Sequence, residues 1–187
     1  MEEEIKKTIK ALKEGKTILY PTDTVWGIGC DATYSKAVKK IYSLKRRYEH
    51  KCLIVLLGSV DQLEDYVEHV PEVAYDLIEN IKTPLTIIYS NSKGLAKNVI
   101  AKDKSIAIRV IRDEFCKQII KGLGKPLVST SANISGKDTP LLFSQVNDKI
   151  KNEIDYIVNL EHHSFNNVKP SKIIQLEENG EFRIVRP

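Results

Sequence analysis

Residues 52–57, CLIVLL, form a continuous apolar run, and this run decides the fold class of the chain. A strand with one wet face alternates apolar and polar residues, whereas a strand covered on both faces is apolar throughout. Strands commonly run for about 4–8 residues, which is too short for most helices. The run therefore predicts a strand that is buried on both faces of a sheet.

Apolar spacing outward from this run predicts the remaining elements. Ile5, Ile9 and Leu12 recur at helical spacing, and Ser35 is a suitable N-cap for the helix that follows it. The predicted helices cover 3–13, 35–45, 60–67, 71–81, 114–121 and 143–151. The other predicted strands cover 17–20, 85–89, 106–110, 127–129, 157–160, 173–176 and 182–185. Because strands and helices mix without a strict βαβ rhythm, we expect a single-domain α/β fold with a twisted mixed sheet.

The bulk composition fits one globular domain of ordinary size, with expected bounds of 1–187. Hydrophobic residues make up 42% and charged residues 29% of the 187 positions, and the net charge is +4. This mildly basic balance permits contact with phosphates without requiring a nucleic acid. No apolar stretch approaches the roughly 20 residues that span a bilayer, and the acidic start, MEEE, does not resemble a signal peptide. We expect a cytoplasmic protein that does not contact membranes.

Cysteine and histidine positions do not indicate a metal site. The three cysteines, Cys30, Cys52 and Cys116, form an odd set without metal-ligand spacing, and the four histidines lack a motif such as HExxH. The cysteines are therefore predicted to be reduced structural thiols, and no metal-ligating residues and no tightly bound cofactor are expected.

Polar clusters follow two of the predicted strands or helices in the first third of the chain. YPTDTVWGIGCDA (20–32) offers hydroxyls, a carboxylate and two glycines, either as a binding loop or as a glycine-rich turn with Trp26 in the core. LKRRYEHK (44–51) places Lys45 and Arg47 at a helix end. These cations either complement the helix dipole or clamp a phosphate or carboxylate.

Two further clusters lie in the second half of the chain. In SIAIRV (105–110), Arg109 interrupts an apolar strand and needs an anionic partner, which is either an internal carboxylate or a ligand carboxylate. In KPLVSTSANISG (125–136), five hydroxyl or amide side chains fall within seven positions, more than helix capping requires. This inventory suits anion binding and charge stabilisation, as in phosphoryl or nucleotidyl transfer, better than proton abstraction.

These clusters, in this order, resemble the YrdC/Sua5 family of threonylcarbamoyl-AMP synthases over nearly the whole chain. The family's K-x-R signature matches Lys45 and Arg47, and its S-x-N signature matches Ser131 and Asn133. Further matches are PLTIIY (84–89), KPSKIIQL (169–176) and the terminal RIVRP. The resemblance implies the short, single-domain form of the family, a twisted α/β sandwich with a basic concave groove.

The resemblance also implies an activity. Family members are nucleotidyltransferases that join L-threonine, bicarbonate and ATP, with Mg²⁺, into threonylcarbamoyl-AMP and release pyrophosphate. A separate transferase complex then moves the threonylcarbamoyl group to adenosine 37 of tRNA. The positions expected to be catalytic are Lys45 and Arg47. Those expected to bind ATP are Arg47, Lys51, Ser105, Asn133 and Arg186. Those expected to bind threonine are Thr24, Arg109, Ser131 and Ser171, with Arg109 on the carboxylate.

The sequence departs from the family pattern at four positions. Tyr48 and Cys52 replace prolines, Leu56 stands where many members have a histidine that contacts threonine, and Lys172 stands where Pro-Ser-Thr is usual. We expect the loop at 48–51 to close differently and the threonine contacts to be fewer.

The alternative function is that of a YciO-like paralogue that binds nucleotide or RNA with little synthase activity. Its groove would contact tRNA or double-stranded RNA through Lys36, Lys39, Lys40 and Lys45. Such binding would weaken steeply with salt. The retained K-x-R and S-x-N signatures favour the enzyme, whereas Leu56 and Lys172 favour the alternative.

Overall fold

The computed structural model describes residues 1–47, 53–160 and 170–187. Within them, nine strands form one mixed sheet in the order β7-β1-β2-β6-β3-β5-β4-β8-β9. The strands are β1 Ile18–Pro21, β2 Trp26–Asp31, β3 Ile54–Leu57, β4 Leu85–Tyr89, β5 Ile106–Val110, β6 Leu127–Ser131, β7 Tyr156–Ile157, β8 Lys172–Leu176 and β9 Phe182–Arg186. The pairs β3–β5, β4–β8 and β1–β7 are parallel, and the remaining pairs are antiparallel. The predicted single-domain α/β fold with a mixed sheet is confirmed.

Helices cover both faces of this sheet. They are α1 Glu2–Lys13, α2 Ser35–Lys45, α3 Leu63–Tyr66, α4 Glu72–Asn80, α5 Glu114–Leu123 and α6 Asp148–Glu153. Short 3₁₀ turns precede α3 at Val60–Gln62 and α6 at Phe143–Gln145. In the described ranges, no helix has the length and apolar character needed to cross a membrane.

The apolar run that indicated the fold class forms β3, between β6 and β5. Val55 and Leu57 pack into the larger core cluster, and Leu56 packs into a second cluster on the opposite face. Side chains alternate along a strand, so adjacent residues can be buried on both faces. The prediction of a doubly covered strand is confirmed, with β3 beginning at Ile54.

The two faces of the sheet are covered to different extents. Residues from α2, α3, α4 and α6 pack in the larger cluster on one face. On the other face, α1 and α5 pack against β1, the start of β6 and Leu56. The part of this second face beyond α1 and α5 carries a depression between the strands. One half of the face is therefore core, and the other half is available to a ligand.

Strand β2 was missed by the sequence analysis, which interpreted residues 20–32 as a loop or a turn. Gly27 and Gly29 weaken the strand pattern, since glycine disfavours strands. The structure shows why glycine is there: a Cβ atom on Gly29 would lie 2.7 Å from the carbonyl oxygen of Val128 and 2.9 Å from the Tyr20 ring. At the glycine positions, close approach of the β2 backbone to its neighbours takes the place of side-chain packing, while Ile28 and Cys30 are buried on the opposite face. Trp26 lies in the larger core cluster, as the second of the two interpretations of residues 20–32 required.

Several other elements differ from their predicted extents, and β7 covers only Tyr156–Ile157 where a strand over 157–160 is predicted. The segment 60–67 contains a 3₁₀ turn followed by one turn of α-helix. The segment 143–151 divides in the same way, and Asn147 caps α6 by accepting a hydrogen bond from the Lys149 amide. Strand β6 runs two residues past its predicted end, to Ser131. Cys30 and Cys116 are free and buried, as predicted, while Cys52 lies outside the described residues.

Candidate active site in the open half of the sheet

The open half of the sheet forms a groove of about 300 Å³. Its floor is built from alternate residues of the central strands, such as Ser129 and Ser131 on β6, Ile54 on β3 and Ala107 on β5. Because these residues share one face, chain segments that are far apart in sequence meet there. Six of the ten predicted site residues line the groove: Thr24, Arg47, Arg109, Ser131, Ser171 and Arg186.

Arg109 lines the groove and has a carboxylate partner. Its side chain is 8% exposed, and its Nη2 donates to Oδ2 of Asp23 at 2.5 Å. The internal carboxylate considered from the sequence is therefore present. A guanidinium carries five N–H donors, so this one bond leaves others for a ligand. The predicted contact between Arg109 and the threonine carboxylate stays a prediction.

Thr22 shapes the turn that joins β1 to β2. Its Oγ1 accepts hydrogen bonds from the amides of Thr24 and Val25 and donates to the carbonyl of Val25 at 2.7 Å. The hydroxyls of Thr22 and Thr24 lie 3.0 Å apart. Such side-chain-to-backbone bonds hold a turn without a regular ladder. Thr24 is thus fixed at the groove wall, on one side of Asp23.

Ser171 and Arg186 form the far wall of the groove. The Ser171 hydroxyl lies 2.8 Å from that of Thr86, and Ser171 is 4% exposed. Arg186 donates through Nε and Nη2 to the Ser171 carbonyl at 2.9 and 2.7 Å. Burial lowers the pKa of Arg186 from its usual range. The wall therefore presents a guanidinium whose orientation is set by the carbonyl of Ser171, the residue before β8.

Lys45 reaches the site from beneath. It is the last residue of α2, is 1% exposed, and does not line the groove. Its Nζ donates to the carbonyls of Ser131 at 2.5 Å and Asn133 at 2.7 Å. Burial, followed by the positive charge of Arg47, lowers its pKa to about 7. The catalytic role predicted for Lys45 is not tested by this geometry.

Ser131 and Asn133 are joined to each other. The Ser131 hydroxyl donates to Oδ1 of Asn133, while the Asn133 amide donates to the carbonyls of Ile134 and Lys137 at 3.1 and 2.7 Å. Asn133 therefore stabilises the loop after β6 through these bonds, whereas Ser131 lines the groove. Gly136, with φ of 82°, reverses the chain beyond them. Only glycine adopts this backbone region freely.

Two other predicted site residues do not contribute to the groove as described. Ser105 is absent from its lining, and Lys51 lies outside the described residues. Ser105 precedes β5, on the same face as Arg109, and its hydroxyl donates to Asp103 at 2.6 Å. Lys51 lies outside the described residues, together with Tyr48 and Cys52. The predictions for ATP binding at Lys51 and for the loop at 48–51 stay predictions.

Two of the departures from the family pattern, Leu56 and Lys172, lie within the described residues. Leu56 is 2% exposed and belongs to the cluster under α1 and α5, although it also reaches the groove. An apolar side chain suits this border between core and groove. Lys172, at the start of β8, is exposed.

The lysines proposed for RNA contact differ in their exposure and pairing. Lys45 is buried and Lys40 pairs with Asp155, whereas Lys36 and Lys39 are exposed.

Asp23 and Ser129 were missed as site residues. Asp23 lies within the quoted motif YPTDT, but its pairing with Arg109, 86 positions away, depends on the folded sheet. Ser129 accepts a hydrogen bond from the Tyr20 hydroxyl at 2.7 Å and lies on the groove floor. Alternation along β6 was the available signal, since Ser129 and Ser131 fall on one face.

A larger depression, of about 980 Å³, lies between α1, α5 and the turn after β3. Its lining mixes Glu114 with Lys117 and Lys121 and contains none of the predicted site residues. No group of three or more histidine, cysteine or carboxylate side chains able to hold a metal occurs in the described ranges. The buried Arg109, the partly buried Arg47 and Arg186, and several hydroxyls converge in the groove, so the groove is the candidate active site.

Known proteins match this chain over most of its length. A family model named Sua5/YciO/YrdC, described as telomere recombination, matches residues 10–187. A threonylcarbamoyl-AMP synthase of Psychromonas ingrahamii is 37% identical over 151 residues, which is 79% of each chain. That of Idiomarina loihiensis is 32% identical over 176 residues, covering 92% of this chain and 93% of its own.

A solved structure shares the fold. Sua5 of P. abyssi, crystallised in complex with L-threonine, superimposes with a TM-score of 0.86 and 29% sequence identity over 94% of this chain. The match covers 52% of the P. abyssi protein, so this chain spans about half of its length. The family model and both relatives cover most of the sequence. The chain therefore belongs to the Sua5/YciO/YrdC family.

Proposed function

We propose that this protein is an L-threonylcarbamoyladenylate synthase, an ATP-dependent nucleotidyltransferase. The observation that carries the proposal is the convergence of three guanidinium groups, those of Arg47, Arg109 and Arg186, with buried hydroxyls in one groove. Arginine binds carboxylate and phosphate through planar, paired donors. Relatives named threonylcarbamoyl-AMP synthase cover most of the chain, which supports the same assignment.

The proposed reaction needs placement and charge stabilisation more than proton abstraction. The threonine amine and bicarbonate form a carbamate with loss of water. A carbamate oxygen then forms a bond to the α-phosphorus of ATP, and the bond between the α-phosphorus and the bridging oxygen of pyrophosphate breaks. Negative charge develops on the leaving pyrophosphate. Fixed cations in a partly dry groove stabilise such charge more strongly than water does.

The groove residues divide between the two ends of the reaction. Arg109, Thr24, Ser131 and Ser171 would hold threonine, with its carboxylate on Arg109. Arg47 and Arg186 would face the phosphates, and Lys51, Ser105 and Asn133 are further candidates for ATP. Mg²⁺ would enter as part of the MgATP substrate, held by phosphate oxygens, as is usual for this ion.

The product is a mixed anhydride, which requires a downstream acceptor. We propose that it serves the threonylcarbamoylation of adenosine 37 in tRNA, through a separate transferase complex in the cytoplasm. Residues 1–187 would supply the synthase as one YrdC-like domain. Direct contact with tRNA or double-stranded RNA is not needed for this step.

The test is pyrophosphate release from ATP, Mg²⁺ and bicarbonate with each amino acid in turn. We expect release that requires both L-threonine and bicarbonate. The matched control is L-serine, which lacks only the methyl group. Removing a single methyl contact typically costs about 1–3 kcal/mol of discrimination. Absence of release, accompanied by salt-sensitive RNA binding without ATP, would support the RNA-binding alternative.

A further inference from the structure

The K-x-R segment sends its two cations in different directions. Helix α2 ends at Lys45, and Arg46 adopts the left-handed conformation with φ of 49°. This residue reverses the backbone between the two cations, as residues beyond a helix C-terminus commonly do. As a result, Lys45 extends beneath β6 and is buried, whereas Arg47 lines the groove.

Oxygen acceptors surround the Lys45 ammonium. The carbonyls of Ser131 and Asn133 accept at 2.5 and 2.7 Å, and Oδ1 of Asn133 lies at 3.5 Å. An ammonium has three N–H donors and no acceptor. Each donor therefore has an oxygen within reach, and a phosphate contact would require breaking a bond that is buried.

The backbone of Lys45 is tied to the same segment. The amide of Ser135 donates to the Lys45 carbonyl at 2.9 Å. Residues 131–136, which we term the Ser131 loop, are thus held from both the main chain and the side chain of one residue. The loop carries Ser131 into the groove, and its Asn133 carbonyl points down to the ammonium.

We propose that Lys45 is a positioning residue that acts through the Ser131 loop and makes no contact with the triphosphate. Arg47 alone of the K-x-R pair then faces the nucleotide. The expected changes in threonine and ATP binding rest on the proposed function, whereas the expected change in the order of the Ser131 loop does not. This division of roles also explains why one residue separates the two cations of the motif. Arg46, in the left-handed conformation, turns the chain so that Lys45 holds the Ser131 loop while Arg47 faces the groove.

The lowered pKa of Lys45 is consistent with this geometry. Burial disfavours the charged ammonium, and carbonyl oxygens oppose that effect by stabilising it. Removing the ammonium would leave two buried carbonyls short of a donor. The first structural consequence would be a looser Ser131 loop, and the first kinetic consequence a misplaced Ser131 hydroxyl.

The test compares Lys45→Met with Arg47→Met, which remove a cation from the two ends of the motif. In Lys45→Met, amide hydrogen exchange across 131–136 should become about tenfold faster. The KM for threonine should rise by about tenfold, whereas the Kd for ATP, which depends on this loop only through Asn133, should rise by less than about threefold. In Arg47→Met, ATP binding should weaken and loop exchange should stay at the wild-type rate. If Lys45→Met instead weakened ATP binding without changing loop exchange, the proposal would be overturned.

A measurement on the unaltered protein covers the case in which Lys45→Met does not fold. With ¹⁵N-labelled lysine and arginine side chains, the Lys45 ammonium should give a slowly exchanging signal before ligand is added, and ATP should leave its chemical shift unchanged. A nucleotide-induced shift as large as that of the Arg47 guanidinium would contradict the proposal. These readouts do not need turnover, so a failure of the synthase assignment would appear separately, as absent pyrophosphate release.

Discussion

Arg109 shows, at the scale of single residues, how a ligand can substitute for an internal partner. The guanidinium is nearly buried and is balanced by Asp23, whose side chain is 27% exposed. Removing one partner of a buried ion pair is costly because the remaining charge is left unpaired. Asp23→Asn keeps the shape of the side chain and removes its charge. We expect it to lower the free energy of unfolding by about 1–3 kcal/mol, measured by urea denaturation.

Threonine should restore part of that loss, because its carboxylate supplies the missing anion. The thermal shift caused by saturating threonine should be larger in Asp23→Asn than in wild type. Glu3→Gln is the matched control, since it breaks an exposed pair with Lys7 on α1. Exposed ion pairs contribute little to stability, so Glu3→Gln should leave both the free energy of unfolding and the thermal shift with threonine close to wild type. An equal threonine shift in Asp23→Asn and wild type would argue against Arg109 as the carboxylate site.

Lys45 predicts a distinctive pH dependence of stability. Its pKa in the folded protein is about 7, against 10.5 for an ordinary lysine. Between these values the unfolded chain binds more protons at this site, so the free energy of unfolding should rise with pH. The slope is at most about 1.4 kcal/mol per pH unit for one proton. Other titrating groups, such as the buried thiols of Cys30 and Cys116, act alike in both proteins. In urea denaturation from pH 7 to 10, the difference in free energy of unfolding between wild type and Lys45→Met should therefore rise with this slope. Parallel curves would mean that the ammonium stays charged throughout.

At the residue scale, chemistry was easier to predict than pairing. An arginine in an apolar strand requires an anion, so Arg109 was recognised from its surroundings. Its partner was not, because Asp23 reaches it through the register of a folded sheet. Lys45 illustrates the same limit. The sequence indicates a cation at a helix end, but the turn at Arg46 determines which cation enters the groove.

At the scale of elements, β2 depends on close backbone packing. Gly29→Ala would place a Cβ atom 2.7 Å from the Val128 carbonyl oxygen, which belongs to backbone and cannot move freely. Overpacking typically costs about 1–3 kcal/mol, and we expect a loss in this range by urea denaturation. Because Ser129 lies opposite Gly29, the groove floor should also be displaced.

Gly58→Ala is the control for this substitution. A Cβ atom at Gly58 would meet its nearest neighbour at 3.5 Å, an ordinary contact. The loss of stability in this variant should therefore be well below that of Gly29→Ala. If the two variants were equally stable, steric approach of β2 to β6 would not be the reason for the glycine.

Periodicity predicted the strands that are marked by continuous apolar runs and failed for β2, in which glycines separate the buried side chains of Trp26, Ile28 and Cys30. Strands β4 and β5 match their predicted bounds because apolar runs mark them. Strand β2 lacks that signal at Gly27 and Gly29, since contact there is made by backbone. The segment 143–151 carries helical spacing, yet Asn147 begins a new helix within it. Capping by a local side chain overrides periodicity at such points.

At the scale of the whole molecule, the two edges of the sheet differ in their relation to the groove. Edge strand β9 carries Arg186 into the groove wall, whereas edge strand β7 lies at the opposite end of the sheet. Hydrogen exchange should be slowest in the central strands β6, β3 and β5 and faster at both edges. ATP should slow exchange in β9 and leave β7 unchanged. Equal protection of both edges would indicate global stabilisation rather than ligand contact at Arg186.

The exposed outer edge at β9 also bears on the solubility of the protein. Phe182, Ile184 and Val185 are more than half exposed, and within residues 1–47, 53–160 and 170–187 their strand has a neighbour on one side only. Open edges of this kind can pair with a second chain and begin aggregation. Arg183 and Arg186 place like charges along the same strand. Two β9 edges would therefore repel at low ionic strength, and concentrated salt, by screening that repulsion, would favour precipitation.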